Sequence, residues 1–162
     1  MTTRAVTPIR RLRLLLLAAS LSGIAGCAKP PPKPAPTIIQ AVLSADADVN
    51  PDSRGRASPI VVRVFELKTL AAFNDADFFS LWDRENETLG ADLVARDEIQ
   101  LRPGEVKKFE RGAQDATRHF AVIAAYRDLE RAKWRGAVAV VANQTQAVRI
   151  ELDARTLTIS RP

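Results

Sequence analysis

From residue 37 to the C-terminus, apolar and polar positions alternate in short runs, the period of two that marks strands half-buried in a sheet. Ile39, Ala41, Leu43, Ala45 and Ala47 share one face of a first predicted strand, with Gln40, Ser44 and Asp46 on the other. A polar, turn-rich stretch follows, Asn50-Pro51-Asp52-Ser53-Arg54-Gly55-Arg56-Ala57-Ser58-Pro59. Ile60 to Leu67 is apolar enough for a central strand, and Pro59 stands at its entry, where no ladder hydrogen bond need be lost. Further strands are expected at 92–101, 106–110, 119–126, 137–142, 146–152 and 156–160. Arg102-Pro103-Gly104-Glu105 is a turn, and Asn143-Gln144-Thr145 joins a predicted hairpin.

The alternation stops at about 69–89. Leu70, Phe73, Phe78, Phe79, Leu81 and Trp82 are spaced for one or two short helices, with Asn74-Asp75 as break and cap. Phe78, Phe79 and Trp82 are expected to lock these helices against a sheet. Short strands at this spacing predict a mainly β fold, a two-sheet antiparallel β-sandwich with a small helical insertion after the second strand.

The N-terminus has a different character. Arg4, Arg10, Arg11 and Arg13 precede an apolar run, Leu14 to Leu21, too short to span a membrane. Ile24-Ala25-Gly26-Cys27 then resembles the lipobox of bacterial lipoproteins. It implies a signal peptide at 1–26 and a covalent lipid on Cys27, the one cysteine of the chain. Several acyl chains anchor stably where one is marginal. Ala28, rather than aspartate, implies transfer to the periplasmic face of the outer membrane. Residues 27–36 hold the acylated cysteine and a proline-rich spacer of roughly 25 Å at about 3.1 Å per residue. Residues 37–162 make the sandwich domain. The net charge of +5 changes meaning once four arginines leave with the signal, for about +1 remains. No basic field is left to attract nucleic acid.

Candidate chemistry is sparse. The single histidine, His119, heads an apolar strand, and the single tyrosine is Tyr126. With its only thiol acylated, the mature chain offers no obvious activated nucleophile, so the expectation is no enzyme and no cofactor beyond the lipid. Asp46, Asp48, Asn50 and Asp52 alternate like the opening of a calcium loop. However, Pro51 and Ala57 stand where the EF-hand form wants glycine and glutamate. Turn chemistry explains the same residues. Arg127, Arg131, Lys133 and Arg135, interleaved with Asp128 and Glu130, read as a solvated, self-compensated loop in which Trp134 stacks on a guanidinium.

Asn50-Pro51-Asp52, Gly55-Arg56 and Ser58-Pro59 run into Val61-Val62-Arg63-Val64-Phe65-Glu66-Leu67. With Ala76-Asp77-Phe78-Phe79-Ser80-Leu81, Leu89-Gly90-Ala91-Asp92-Leu93, Leu101-Arg102-Pro103-Gly104-Glu105 and Val122 to Glu130, this order resembles the TssJ family. These are outer-membrane lipoproteins of the bacterial type VI secretion system. The resemblance implies a transthyretin-like sandwich and a binding rather than catalytic role. The implied partner is the periplasmic C-terminal region of the inner-membrane protein TssM, with TssL indirectly in the same complex. It places the contact in the loop between the first two strands: Asn50, Pro51, Asp52, Ser53, Arg54, Gly55, Arg56, Ala57 and Ser58. That loop is longer than a hairpin needs, Gly55 permits a positive φ at its tip, and Arg54 and Arg56 suit bidentate pairing with partner carboxylates. A generic lipoprotein binding module or adhesin is the alternative.

Overall fold

The computed structural model describes residues 32–162, so the signal segment and Cys27 lie outside the described residues. Pro32 to Pro36 are exposed and without regular structure. The strands are β1 (Ile38–Ala45), β2 (Ile60–Leu67), β3 (Leu93–Leu101), β4 (Val106–Gly112), β5 (His119–Ala124), β6 (Arg135–Ala139), β7 (Thr145–Leu152) and β8 (Leu157–Ser160). They form two four-stranded sheets, β4-β1-β7-β8 and β3-β2-β5-β6. Ile39, Leu43, Val62, Val64, Phe120, Val122, Ile150 and Leu152 meet between them in a buried core. Full burial of such side chains contributes roughly 1.5–3 kcal/mol each.

Three expectations need correction. β1 ends at Ala45, and Ala47 is exposed, because Asp46 opens a turn in which its carbonyl accepts from the Val49 N–H at 3.2 Å. Val49, not Ala47, is the next residue to enter the core. The sandwich is not wholly antiparallel, since β1 pairs with β7 in parallel, Ile38 opposite Thr145 through Ala45 opposite Leu152. The third correction concerns the hairpin at 143–145. β6 lies in one sheet and β7 in the other, so this connection crosses the sandwich. Alternation states which face a strand buries, and both strands bury theirs in the same core; it does not state the neighbour. Gln146 closes the crossing, its side-chain amide accepting from the Val141 N–H and donating to the Val141 carbonyl, both at 3.1 Å.

The β6–β8 side is drawn shut by a bridge between Lys133 and Thr156. Gly136 lets the strands approach there: a Cβ would stand 2.7 Å from Cγ2 of Ile159, which would have to move to admit it.

The helical insertion is three short helices, α1 (Ala71–Asp75), α2 (Phe78–Asp83) and α3 (Glu85–Leu89). Phe73, Phe78, Leu81 and Leu89 pack on Phe65, Leu67, Ala121 and Ile123, the outward face of β2 and β5. The cap is Asp77 rather than Asn74-Asp75: its carboxylate accepts from the Ser80 N–H at 2.9 Å and the Ser80 hydroxyl at 2.7 Å. Arg135 covers the other exposed end, donating to the carbonyls of Phe73 (3.0 Å) and Ala76 (2.8 Å). Phe78 is buried and Trp82, four residues on, stacks on it with centroids 5.3 Å apart. Phe79 is 62% exposed, contrary to expectation, because consecutive helical residues face different directions.

Candidate functional site

The connection from β1 to β2 is built around two side chains. Asn50 adopts a left-handed backbone, φ 51°, which asparagine tolerates better than most residues. Its side chain donates to the Pro59 carbonyl (2.9 Å) and accepts from the Arg127 N–H (2.8 Å), while its own N–H reaches the Ala154 carbonyl (3.2 Å). One buried amide thus ties together the β1–β2, β5–β6 and β7–β8 connections. Ser58 is also buried, its N–H donating to the Val49 carbonyl at 3.1 Å. Both were expected among the contact residues. They are the frame of the loop instead, because a chain entering and leaving a core must satisfy its polar groups there.

Asp52 organises the tip. Its Oδ1 accepts from the N–H groups of Arg54 (2.8 Å) and Arg56 (3.0 Å), and its backbone N–H donates to the Arg56 carbonyl at 2.9 Å. Gly55 closes the turn at φ 78°. The Arg56 guanidinium is already committed, with Nε 2.8 Å and Nη2 2.7 Å from Oδ2 of Asp52. Its Nη1 makes no bond among the described residues, and the side chain is 71% exposed, so one edge of the guanidinium still faces outward. These donors, the Arg56 N–H foremost, hold the Asp52 carboxyl below the usual carboxylate range. Pro51, Asp52 and Ala57 are half-buried, and Ser53, Arg54, Gly55 and Arg56 are exposed.

This tip walls an open groove of about 800 Å³, whose other walls are Arg127, Asp128 and Arg131 and the Ala154-Arg155 turn. Two stretches singled out separately in the sequence thus share one site. The Arg127–Arg135 stretch is not one loop, however. Arg135 belongs to β6 and serves the helices, its guanidinium also lying 4.8 Å from the Trp134 ring centre, the stacking expected. Asp128 pairs with Arg155 at 3.0 Å, a wall the sequence reading missed. The turn at Gly55 was legible in the sequence; the approach of Arg155 depends on how distant connections meet and was not.

Of the calcium-like pattern, Asp52 spends Oδ1 on the N–H groups of Arg54 and Arg56 and Oδ2 on the Arg56 guanidinium, which is turn chemistry, whereas Asn50 Oδ1 accepts from the distant Arg127 N–H. His119 heads β5 opposite Leu67 and Ala139, with Nδ1 buried and unpartnered among the described residues. Burial, then the Asp153 and Asp46 carboxylates, push the Tyr126 phenol well above its ordinary range.

The model of the type VI secretion lipoprotein family (VasD, EvfM, TssJ) matches residues 37–155. The chain belongs to the TssJ family. It is 42% identical to the type VI secretion lipoprotein TssJ1 from Pseudomonas aeruginosa, covering 78% of this chain and 97% of that one with a TM-score of 0.76. Serratia marcescens Lip, a membrane-bound component of the type VI secretion system, is 28% identical over 78% and 98%, with a TM-score of 0.72. A chain in the solved structure of a TssM C-terminal domain from EAEC shares the fold at 22% identity, over 76% and 98%, with a TM-score of 0.64. No curated protein matches in sequence. The family-model match takes in β1 to β7, the helical insertion and the residues that line the groove, and with the TssJ1 likeness it makes the sandwich described above the family's fold.

Proposed function

We propose that this TssJ-family lipoprotein is anchored in the outer membrane through a lipid on Cys27 and binds the periplasmic C-terminal region of a TssM-like inner-membrane protein. It thereby links the two membranes, with TssL joined indirectly. It acts by binding, not by catalysis. The observation that carries the reading is the order already built into the 50–58 tip. Asn50 and Asp52 fix it without a partner, so little ordering cost remains to be met on docking. The contact surface narrows to Ser53, Arg54, Gly55 and the exposed side of Arg56, with Pro51, Asp52 and Ala57 shaping it. Membership of the TssJ family supports the choice of partner.

Replacing Asp52 to Arg56 by a Gly/Ser segment tests the interface. Calorimetry of the full chain in detergent with the TssM periplasmic region is expected to lose binding while the melting temperature barely moves. Binding at wild-type affinity would place the interface elsewhere. The anchor is tested by Cys27→Ser, which is expected to abolish palmitate labelling and outer-membrane fractionation; an unchanged distribution refutes it.

A further inference from the structure

Three carboxylates, Asp48, Asp52 and Asp128, and three guanidiniums, Arg127, Arg131 and Arg155, line the groove beside the 50–58 tip, and Arg56 next to it takes up Asp52, which leaves an excess of one positive charge. Asp52 is held by Arg56, and Asp128 by Arg155 at 3.0 Å. Arg127 is exposed and engages only through its backbone N–H; its guanidinium has no ion-pair or hydrogen-bond partner among the described residues, although its field helps to depress the Asp52 carboxyl. Arg131 is 78% exposed and stands 3.8 Å from Asp128, which Arg155 has already engaged. Asp48 is the one groove carboxylate left without a guanidinium, so the unpaired charge is positive in balance.

We propose that this groove receives an extended acidic segment of the partner protein, with Arg127 and Arg131 as its carboxylate-binding residues. The proposal rests on the reading that this end of the molecule docks a partner, and it adds two residues outside the 50–58 loop and the chemistry of what they bind. Exposed guanidiniums offer planar, bidentate donors matched to carboxylates, and unlike potentials across an interface both steer and select. A groove of about 800 Å³ suits a few residues of extended chain rather than a folded surface. The location favours a protein over anionic lipid. The chain enters at Thr37, and the groove lies beyond the opposite end of β1, roughly 26 Å away at about 3.3 Å per residue. A lipid-binding patch would be expected near the tether.

Two probes test this on the full chain in neutral detergent: fluorescent hexaglutamate, read by anisotropy, and the TssM periplasmic region, read by calorimetry. Hexaglutamate is expected to bind at low salt, to weaken about tenfold or more in the Arg127→Ala/Arg131→Ala double variant, and to be released near 0.5 M salt, where the Debye length is only about 4 Å. The same variant is expected to weaken TssM binding comparably without shifting the melting temperature. Should the wild-type chain not bind TssM at all, the choice of partner fails, while a groove-dependent hexaglutamate signal still supports the acidic ligand. Indifference of both probes to the double substitution overturns the proposal. Phosphatidylglycerol vesicles that bind through these arginines, with no hexaglutamate binding, overturn it in favour of a membrane surface.

Discussion

The helical layer and the groove end are held by opposite means. Over β2 and β5, Phe73, Phe78, Leu81 and Leu89 exclude water from Phe65, Leu67, Ala121 and Ile123, and the energy there is buried apolar area. At the groove, little apolar surface is covered, and shape comes from the hydrogen bonds of Asn50 and Asp52. The difference separates two properties that one core would tie together. Apolar packing sets how stable the domain is, whereas a few directed bonds set where Ser53, Arg54 and Gly55 stand. Exposed residues at the tip are thus open to change without loss of fold.

The sharpest way to break this division is in the helical layer. Phe73 is 1% exposed and meets Phe65 edge-on at 6.3 Å. Phe73→Ala is expected to cost about 3–5 kcal/mol and lower the melting temperature by about 10 °C or more. Phe79→Ala, at a ring 62% exposed, is expected to stay within about 0.5 kcal/mol. Below its melting point the Phe73 variant should bind TssM as the wild type does. Equal losses from the two phenylalanines, or lost binding in a still-folded Phe73 variant, would show that the layers are coupled.

The same division explains what was legible in the sequence. The strands of the sandwich could be read, because β1 and β7 obey the period of two and β2 and β5 are apolar runs of strand length. The helices could be read where that period failed. What could not be read were the neighbours: the parallel β1–β7 pair, the crossing from β6 to β7, and the burial of Phe78 but not Phe79. Each depends on a partner surface that local pattern does not encode. At the site, the 50–58 stretch was visible as an overlong polar connection. The different duties of Asn50, Asp52 and Arg56 within it were not, because a polar residue turned inward to satisfy backbone groups reads the same as one turned outward to a partner. The contribution of Arg155 required knowing that the β7–β8 turn meets the β5–β6 connection, where Lys133 bridges Thr156.

Asn50 combines the two properties, for it is a buried residue whose bonds shape the groove. Asn50→Ala leaves the Arg127 N–H and the Pro59 carbonyl without their partner and puts alanine at φ 51°. The expected loss of stability is about 1–3 kcal/mol, smaller than that of Phe73→Ala, but here TssM affinity falls as well. Unaltered affinity with a lowered melting temperature would mean that the groove keeps its shape without this amide.

The smallest effect expected is that of acid on the tip. Asp52 is held below the usual carboxylate range by the N–H of Arg56, then its guanidinium, then the N–H of Arg54. A carboxyl whose folded value lies below its unfolded value favours the folded arrangement fully above the unfolded value, about 3.9. That contribution fades as the pH falls through the depressed one. The clamp is therefore expected to stay closed from neutral pH down to about 4, and the amide resonances of Arg54 and Arg56 should move only below that. Asp77, depressed in the same way by the Ser80 N–H and hydroxyl, does for α2 what Asp52 does for the tip, so acid also acts on the helical layer. The variants separate the two. In Asp52→Asn a neutral carbonyl can still accept from the two N–H groups, so the Arg54 and Arg56 signals should become independent of pH while that of Ser80 still titrates. Asp77→Asn should do the reverse. A midpoint for Arg54 and Arg56 at or above the ordinary carboxylate value would mean that the clamp does not hold in solution, and that the tip is ordered only when a partner orders it.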